Sequence, residues 1–303
     1  IRAVIHFAAL KAVGESVSKP LEYYFNNLNS LMNVLTCMRE FKVPNLVFSS
    51  SCTVYGQADV LPVTEKTPRH EAESPYGNTK VMSEDIIRDL MRVEPDMKAL
   101  ALRYFNPIGA HPTAFIGELP NGVPNNLIPY LTQTAIGIRE QLSVFGDDYN
   151  TPDGSPLRDY IDVVDLAQAH VVAIRRLLDG KNKKNYEFFN IGTGKALSVL
   201  EIIHAFERAT GVKVNYKVVG RRAGISRRFG PIRLWPITSW DGRLSRRSRK
   251  RWRMLGNGRN HWKRLIDRGK EVKTSIHSRV HWEMAREYML FYTVPTVWNY
   301  LFS

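Results

Sequence analysis

Cysteine is scarce: only Cys37 and Cys52 occur in 303 residues, and they have no CxxC spacing. A disulfide framework is thereby excluded, and a reducing, cytoplasmic setting fits. The eight histidines show no ligand spacing either, so no metal is expected. No apolar run approaches the ~18–20 residues of a membrane span, and no signal-peptide pattern opens the chain, which removes the membrane as a partner. Tryptophan is missing from the first 224 residues; all six (Trp235, Trp240, Trp252, Trp262, Trp282 and Trp298) lie beyond them. Acidic residues thin out at the same place. Residues 225–303 hold 18 Lys+Arg against 5 Asp+Glu, whereas residues 1–224 hold 25 against 24. The net charge of +14 is therefore a property of the tail, and the first 224 residues carry no signature of a nucleic-acid partner. The chain also begins without methionine, as a sequence does that starts inside a longer one.

What is present before residue 225 alternates regularly. IRAVIHFAA is a short apolar run closed by small residues, the pattern of a buried parallel strand. Helical periodicity follows over LEYYFNNLNSLMNVLTCMREF, introduced by Pro20, and VPNLVFSSS is a second strand. SPYGNTKVMSEDIIRDLMRVE is a second helix, with Ser74 as cap and Pro75 at its first position, and KALALRYFN is a third strand. This βαβαβ order predicts an α/β fold: a partial Rossmann-type, doubly wound parallel sheet over residues 1–106, with ligands at the carboxyl ends of its strands. Beyond Asn106 the chain turns rich in Gly, Pro and Asn before strand and helix signals return. Residues 107–224 are expected to form a smaller, irregular substrate-binding lobe with segments returning to the main sheet.

The sharpest constellation is Tyr76 and Lys80 in SPYGNTK, preceded by SSSCTVYG. A spacing of four puts both side chains on one helix face. An ammonium beside a phenol favours the phenolate and pulls its pKa from ~10 toward neutrality, which makes Tyr76 a candidate general base. Tyr-x-x-x-Lys alone is equally the pattern of a surface pair. Its place at the start of a helix, directly after a strand ending in three serines, raises it above that.

The residues carry more than this. VIHFAALKAVGES, NLVFSSSCTVYG, SPYGNTK, LRYFNPIGAH, GVPNNLIPY, VFGDDYNTPDGSPLRDYIDVVDLA, NIGTGKALSV and VVGRRAG resemble, in order over residues 3–224, the extended short-chain dehydrogenase/reductases and within them the UDP-glucose 4-epimerase family. The resemblance implies NAD as cofactor, UDP-galactose and UDP-glucose as substrates, and a cytoplasmic homodimer paired through helices at 20–41 and 74–94. It implies that Tyr76 takes the proton from the sugar 4-hydroxyl while the hydride at C4 passes to NAD. Lys80 would hold the nicotinamide ribose and lower the tyrosine pKa, and Ser51, with Thr53 beside it, would hydrogen-bond the 4-oxygen. The 4-keto intermediate then turns over and receives the hydride on its other face. Phe7, Ala8, Lys11, Asn26, Ser49 and Tyr104 match the cofactor side. Ser51, Phe105, Asn106, Asn126, Leu127, Phe145, Arg158 and Arg222 match the nucleotide-sugar side, where the two arginines suit a pyrophosphate. Taken singly, Asn126 also reads as a helix cap, Phe145 as core and Arg158 as a partner for Asp159. Cys52 has no histidine nearby in sequence to activate it and reads as a small buried hydrophobe.

Two departures from the family stand out. Its opening strand and Gly-rich phosphate turn, roughly 70 residues or two crossovers' worth, have no counterpart here, so NAD is expected to lack its main anchor. At Ile225 the family has Asp, and restoring one lost G lets ISRRFGPIRLWPITSWDGR be read as DIEAVWADPTLANNELGWK. The fixed codons of Trp235, Trp240, Trp252 and Met254 fall where that reading requires. We therefore expect residues 225–303 to be out of frame with no defined fold, and the chain to be impaired. Two other functions fit parts of the sequence. A nucleotide-sugar 4,6-dehydratase would need an acidic residue where Ser51-Cys52-Thr53 stand, and a polyanion-binding protein would use the basic tail without a recognisable motif.

Overall fold

The computed structural model describes residues 1–221 apart from 112–115, 119 and 121, so the expectations for Arg222 and for residues 225–303 lie outside the described residues. In chain order the elements are β1 (Ala3–His6), α1 (Val13–Ser18), α2 (Pro20–Glu40), β2 (Asn45–Ser51), a 3-10 turn (Cys52–Tyr55), α3 (Pro75–Val93), β3 (Lys98–Tyr104), β4 (Asn106–Ile108), α4 (Leu127–Ala135), β5 (Leu142–Phe145), β6 (Leu157–Asp162), α5 (Val163–Leu178), β7 (Tyr186–Ile191), β8 (Ala196–Ser198), α6 (Val199–Thr210) and β9 (Tyr216–Val219).

The main sheet has the order β1-β2-β3-β7, and every pairing in it is parallel. Such a sheet must be covered on both faces, which explains why β2 is buried at every position. The two-residue period sorts its side chains. Leu46, Phe48, Ala99 and Ala101 meet Leu31, Leu35 and Met38 of α2 and Ile87 and Met91 of α3 on one face. Val47, Leu100 and Leu102 meet Leu166, Ala169, Ala173 and Leu177 of α5 on the other. This is the doubly wound α/β arrangement the sequence pattern predicts.

A three-stranded sheet, β4-β6-β8, and a two-stranded sheet, β5-β9, make the second packing centre. Leu131, Val144, Tyr160, Ile203 and Phe206 fill it. α6 is fixed at its start by a capping box between Ser198 and Glu201. The short elements α1, β4 and β8 carry too few residues to show a period in the sequence.

Candidate active site

α3 delivers the central pair. Ser74 Oγ accepts from Gly77 N at 3.1 Å and Pro75 stands at the first helical position, so the helix starts where the cap and the proline dictate. The start of the helix packs on the turn after β2: a Cβ at Gly77 would lie 3.4 Å from Ser74 Oγ and from Thr53 Cβ, within ordinary contact. The carboxyl ends of β1, β2 and β3, the first turns of α3 and residues from β5, β6 and the start of α4 line one cavity of about 660 Å³.

Lys80, on the second turn of α3, is buried. Its ammonium donates to the carbonyl of Ser49 at 2.8 Å and lies 4.9 Å from the centre of the Phe48 ring and 5.8 Å from that of Tyr76. Burial pulls its pKa down to about 8, against the opposing pull of the Glu84 carboxylate. His6, at the end of β1, is pulled down to about 4, chiefly by burial and then by Lys80. Tyr76 moves the other way. Burial first, and Tyr104 next, hold its phenol well above 10, while a hydrogen bond with Ser51 pulls back. Desolvation dominates at the Tyr76 phenol here, while the Lys80 ammonium is bonded to Ser49 O.

The serines arrange the rest of this wall. Ser49 Oγ bonds the hydroxyl of Tyr104, and Ser51 Oγ accepts from Thr53 N at 3.2 Å. Thr53 Oγ1 is buried with no hydrogen-bond partner among the described residues. Cys52 packs on Phe105, and burial pushes its thiol up to about 12, which removes it as a nucleophile.

On the cofactor-side positions, Phe7 and Lys11 line the cavity, as do Ser49 and Tyr104; Ala9 lines it whereas Ala8 does not. Asn26 is exposed, lies away from the lining, and donates to Asn27 Oδ1 at 3.0 Å. Asn27 is the buried one. It accepts from Leu10 N at 2.8 Å and donates to Leu10 O at 3.0 Å and Thr79 Oγ1 at 3.1 Å, tying the segment after β1 to α3. The signal for it was helical phase: Tyr23, Asn27, Leu31 and Leu35 form the buried stripe of α2.

On the opposite side, Phe105, Asn106, Asn126, Leu127, Phe145 and Arg158 line the same cavity. Asn126 occupies the cap position of α4 without a side-chain cap bond and donates to Glu118 Oε1 at 2.8 Å instead. Phe145, at the end of β5, is 37% exposed and is not core. Arg158 donates to Leu157 O at 2.7 Å. Asp159 turns elsewhere, its carboxylate accepting from Thr193 N, Thr193 Oγ1 and Gly194 N. Among the described residues no group of three His, Cys, Asp or Glu side chains could hold a metal, and no helix is long and apolar enough to cross a membrane.

A phenol, a hydroxyl and an ammonium thus meet on one wall, where a proton can be moved at a substrate hydroxyl. A guanidinium, amides and an aromatic ring wait on the other, where an anionic, ring-bearing group can be held. A parallel, doubly wound sheet with a Tyr-x-x-x-Lys helix at its carboxyl edge defines the class: an α/β protein of the Rossmann type. The chain belongs to the NAD dependent epimerase/dehydratase family, whose model matches residues 1–192. The UDP-glucose 4-epimerase of Mus musculus is 54% identical over 223 residues, which are 74% of this chain and 63% of that protein. The chain therefore spans under two thirds of the length of that relative. Solved structures are similar too, among them the following two. The UDP-glucose 4-epimerase of Bifidobacterium longum, in complex with NAD+ and UDP, has a TM-score of 0.77 at 41% identity, covering 88% of this chain and 75% of that one. The UDP-glucose-4-epimerase of Stenotrophomonas maltophila, with bound NAD and formylated UDP-arabinopyranose, has a TM-score of 0.76 at 41% identity, covering 90% and 78%.

Proposed function

We propose that this site serves the NAD-dependent interconversion of UDP-galactose and UDP-glucose through a 4-keto sugar. The observation that carries the reading is the meeting of Tyr76, Ser51 and Lys80 on one wall of a cavity whose other wall holds Arg158, Asn126 and Phe145. The donor set suits the cofactor: Lys80 keeps a buried ammonium with two N–H groups beyond the one given to Ser49, and Thr53 adds a buried hydroxyl without a partner among the described residues. Lys80, Tyr76, Ser49, Tyr104, Phe7 and Lys11 would hold the nicotinamide end. Bound there, NAD would supply a place for the hydride from the sugar C4 and the means of its return.

The chain's own residues do the rest. Tyr76 removes the proton of the 4-hydroxyl and gives it back, and Ser51, already bonded to Tyr76, orients the 4-oxygen. Arg158 neutralises a phosphate, while Asn126, Leu127 and Phe145 hold the nucleotide. A firm hold on the nucleotide and a loose one on the hexose let the sugar present either face.

The reading extends to a homodimer in the cytoplasm. Leu21, Phe25 and Met32 leave an apolar stripe exposed on α2, and Met82 and Val93 do so on α3. Cys37 and Cys52 are both free thiols. Phe25→Asp is expected to convert a dimer to a monomer in analytical ultracentrifugation. For the activity, the chain is incubated with NAD and UDP-galactose and followed by proton NMR. UDP-glucose formed without net reduction of NAD, even slowly, supports the reading. A 4-keto-6-deoxy product makes the protein a dehydratase, and, since this chain is expected to be impaired, formation of neither product together with failure to bind UDP by calorimetry refutes the proposal.

A further inference from the structure

One row of the main sheet behind the site is polar from strand to strand, and the chemistry above does not use it. Ser50 of β2 pairs in register with Arg103 of β3, which pairs with Asn190 of β7. By the alternation of the strands these side chains face α2 and α3, opposite to the face that carries Ser49, Ser51 and Tyr104. Glu84 comes down on them from α3, one turn beyond Lys80 and two beyond Tyr76 on the same helix face. Its carboxylate accepts from Arg103 Nε at 2.8 Å, Arg103 Nη2 at 2.5 Å and Ser50 Oγ at 2.6 Å, with Arg69 Nη1 at 3.8 Å. Arg103 Nη1 donates to the Tyr55 hydroxyl at 2.8 Å, which donates to Asn190 Oδ1 at 2.7 Å. The guanidinium sits 3.8 Å from the Phe188 ring centre and 4.9 Å from that of Tyr55. Ser50, Glu84, Arg103 and Asn190 are each at most 3% exposed.

We propose that Glu84 and Arg103, with Ser50, Tyr55 and Asn190, are positioning residues that fix the height and rotation of α3, so that Lys80 and Tyr76 meet the ends of β2. Cohesion alone does not account for them, since a buried ion pair is often no more stabilising than apolar residues of the same volume. A two-pronged guanidinium–carboxylate pair adds direction: it holds in one relative placement of helix and sheet and fails when the helix slides or turns. Three of the five also lie next to site residues or in their turn. Ser50 stands between Ser49 and Ser51, Arg103 precedes Tyr104, and Tyr55 closes the turn that begins after Ser51.

The proposal rests on Tyr76 and Lys80 as the reacting pair, and its test has a readout independent of turnover. The whole chain is acetylated with an amine-specific reagent, and the modification rates of Lys80, of half-buried Lys98 and of exposed Lys19 are read by peptide mass spectrometry. In Glu84→Gln, compared with the parent at a pH where Lys80 is neutral in both so that loss of the Glu84 charge does not itself change the rate, Lys80 is expected to react about tenfold faster, with Lys98 and Lys19 unchanged. Equal acceleration of Lys98 means general loosening and overturns the proposal, as does an unchanged Lys80 in a folded variant. Should Glu84→Gln fail to give a cooperative melt, Ser50→Ala and Tyr55→Phe, which keep the ion pair, are each expected to accelerate Lys80 about threefold. No change in either overturns it. Where the parent turns over, Glu84→Gln lowers kcat about tenfold with KM for the nucleotide sugar within about twofold, because the nucleotide is held by the other wall. Equal losses in both overturn the assignment. A parent without turnover, as the missing NAD anchor leads one to expect, leaves the labelling result to decide this proposal.

Discussion

Two rows of side chains, one position apart in β2 and β3, have opposite characters. The row of Ser50, Arg103 and Asn190, completed by Glu84 and Tyr55, has charge met by charge and hydroxyls bonded to acceptors. The row in front of it, with Ser49, Ser51 and Tyr104 near Tyr76, Lys80 and Thr53, holds a buried ammonium bonded to a carbonyl and not to a carboxylate. Lys80 is drawn down to about 8, Tyr76 is held up by burial, and a Thr53 hydroxyl lacks a partner among the described residues. The same strands carry both rows because alternation sends adjacent residues to opposite faces. Cohesion and reactivity can thus differ sharply between neighbours in sequence, and a substitution's sign should depend on which row it strikes.

The largest effect is expected at Tyr76. Tyr76→Phe should lower kcat about 10³-fold in the UDP-galactose assay and leave the affinity for UDP unchanged by calorimetry. Behind it, Glu84→Gln leaves Arg103 buried without its counter-charge and should cost about 3–5 kcal/mol in urea denaturation. Lys80→Met should reverse that sign, raising stability by about 2 kcal/mol at pH 7 while turnover is lost, because it removes a desolvated ammonium. The pH dependence follows from an ordinary value of 10.5 drawn down to about 8. Below the folded value both states are charged and the folded one bears the full penalty. Between the two values the unfolded chain binds more protons, so the parent gains stability as pH rises. The advantage of Lys80→Met should therefore be full below pH 8 and gone above 10.5, as melts across that range would read. Thr53→Val should change stability by less than about 1 kcal/mol, since the hydroxyl it removes makes no bond within the described chain.

Much of the fold was legible because its signals are local. Pro20, and Ser74 with Pro75, mark where α2 and α3 begin, and the apolar runs of β2 and β3 read as buried strands. Tyr76 and Lys80 stood out by their spacing and by their place after a strand ending in serines, whereas the role of Ser51 came with the family resemblance. The structural role of Asn27 was not read from the sequence, because only the buried stripe of α2 fixes which of the two adjacent asparagines turns inward. The polar row was missed for a different reason. Its partners come from four elements, and no window of sequence holds them together. One trace was visible all the same: an arginine inside the apolar strand KALALRY must find an acceptor, and Glu84, one turn past Lys80, was placed to supply it.

β7 joins β3 in parallel, so the polar row cannot be finished where it begins. Tyr55 and Asn190, which share a hydrogen bond, stand 135 positions apart in the chain. On a ribosome adding ~5–20 residues per second, Asn190 emerges roughly ten seconds after Tyr55. Through that interval Arg103 and Glu84 can pair, but the far side of the guanidinium still waits for β7 with its Phe188 and Asn190. Such late, long-range closure folds slowly and leaves β3 with an open edge for other chains to pair with. The polar row behind the site is therefore among the last parts of the main sheet to close.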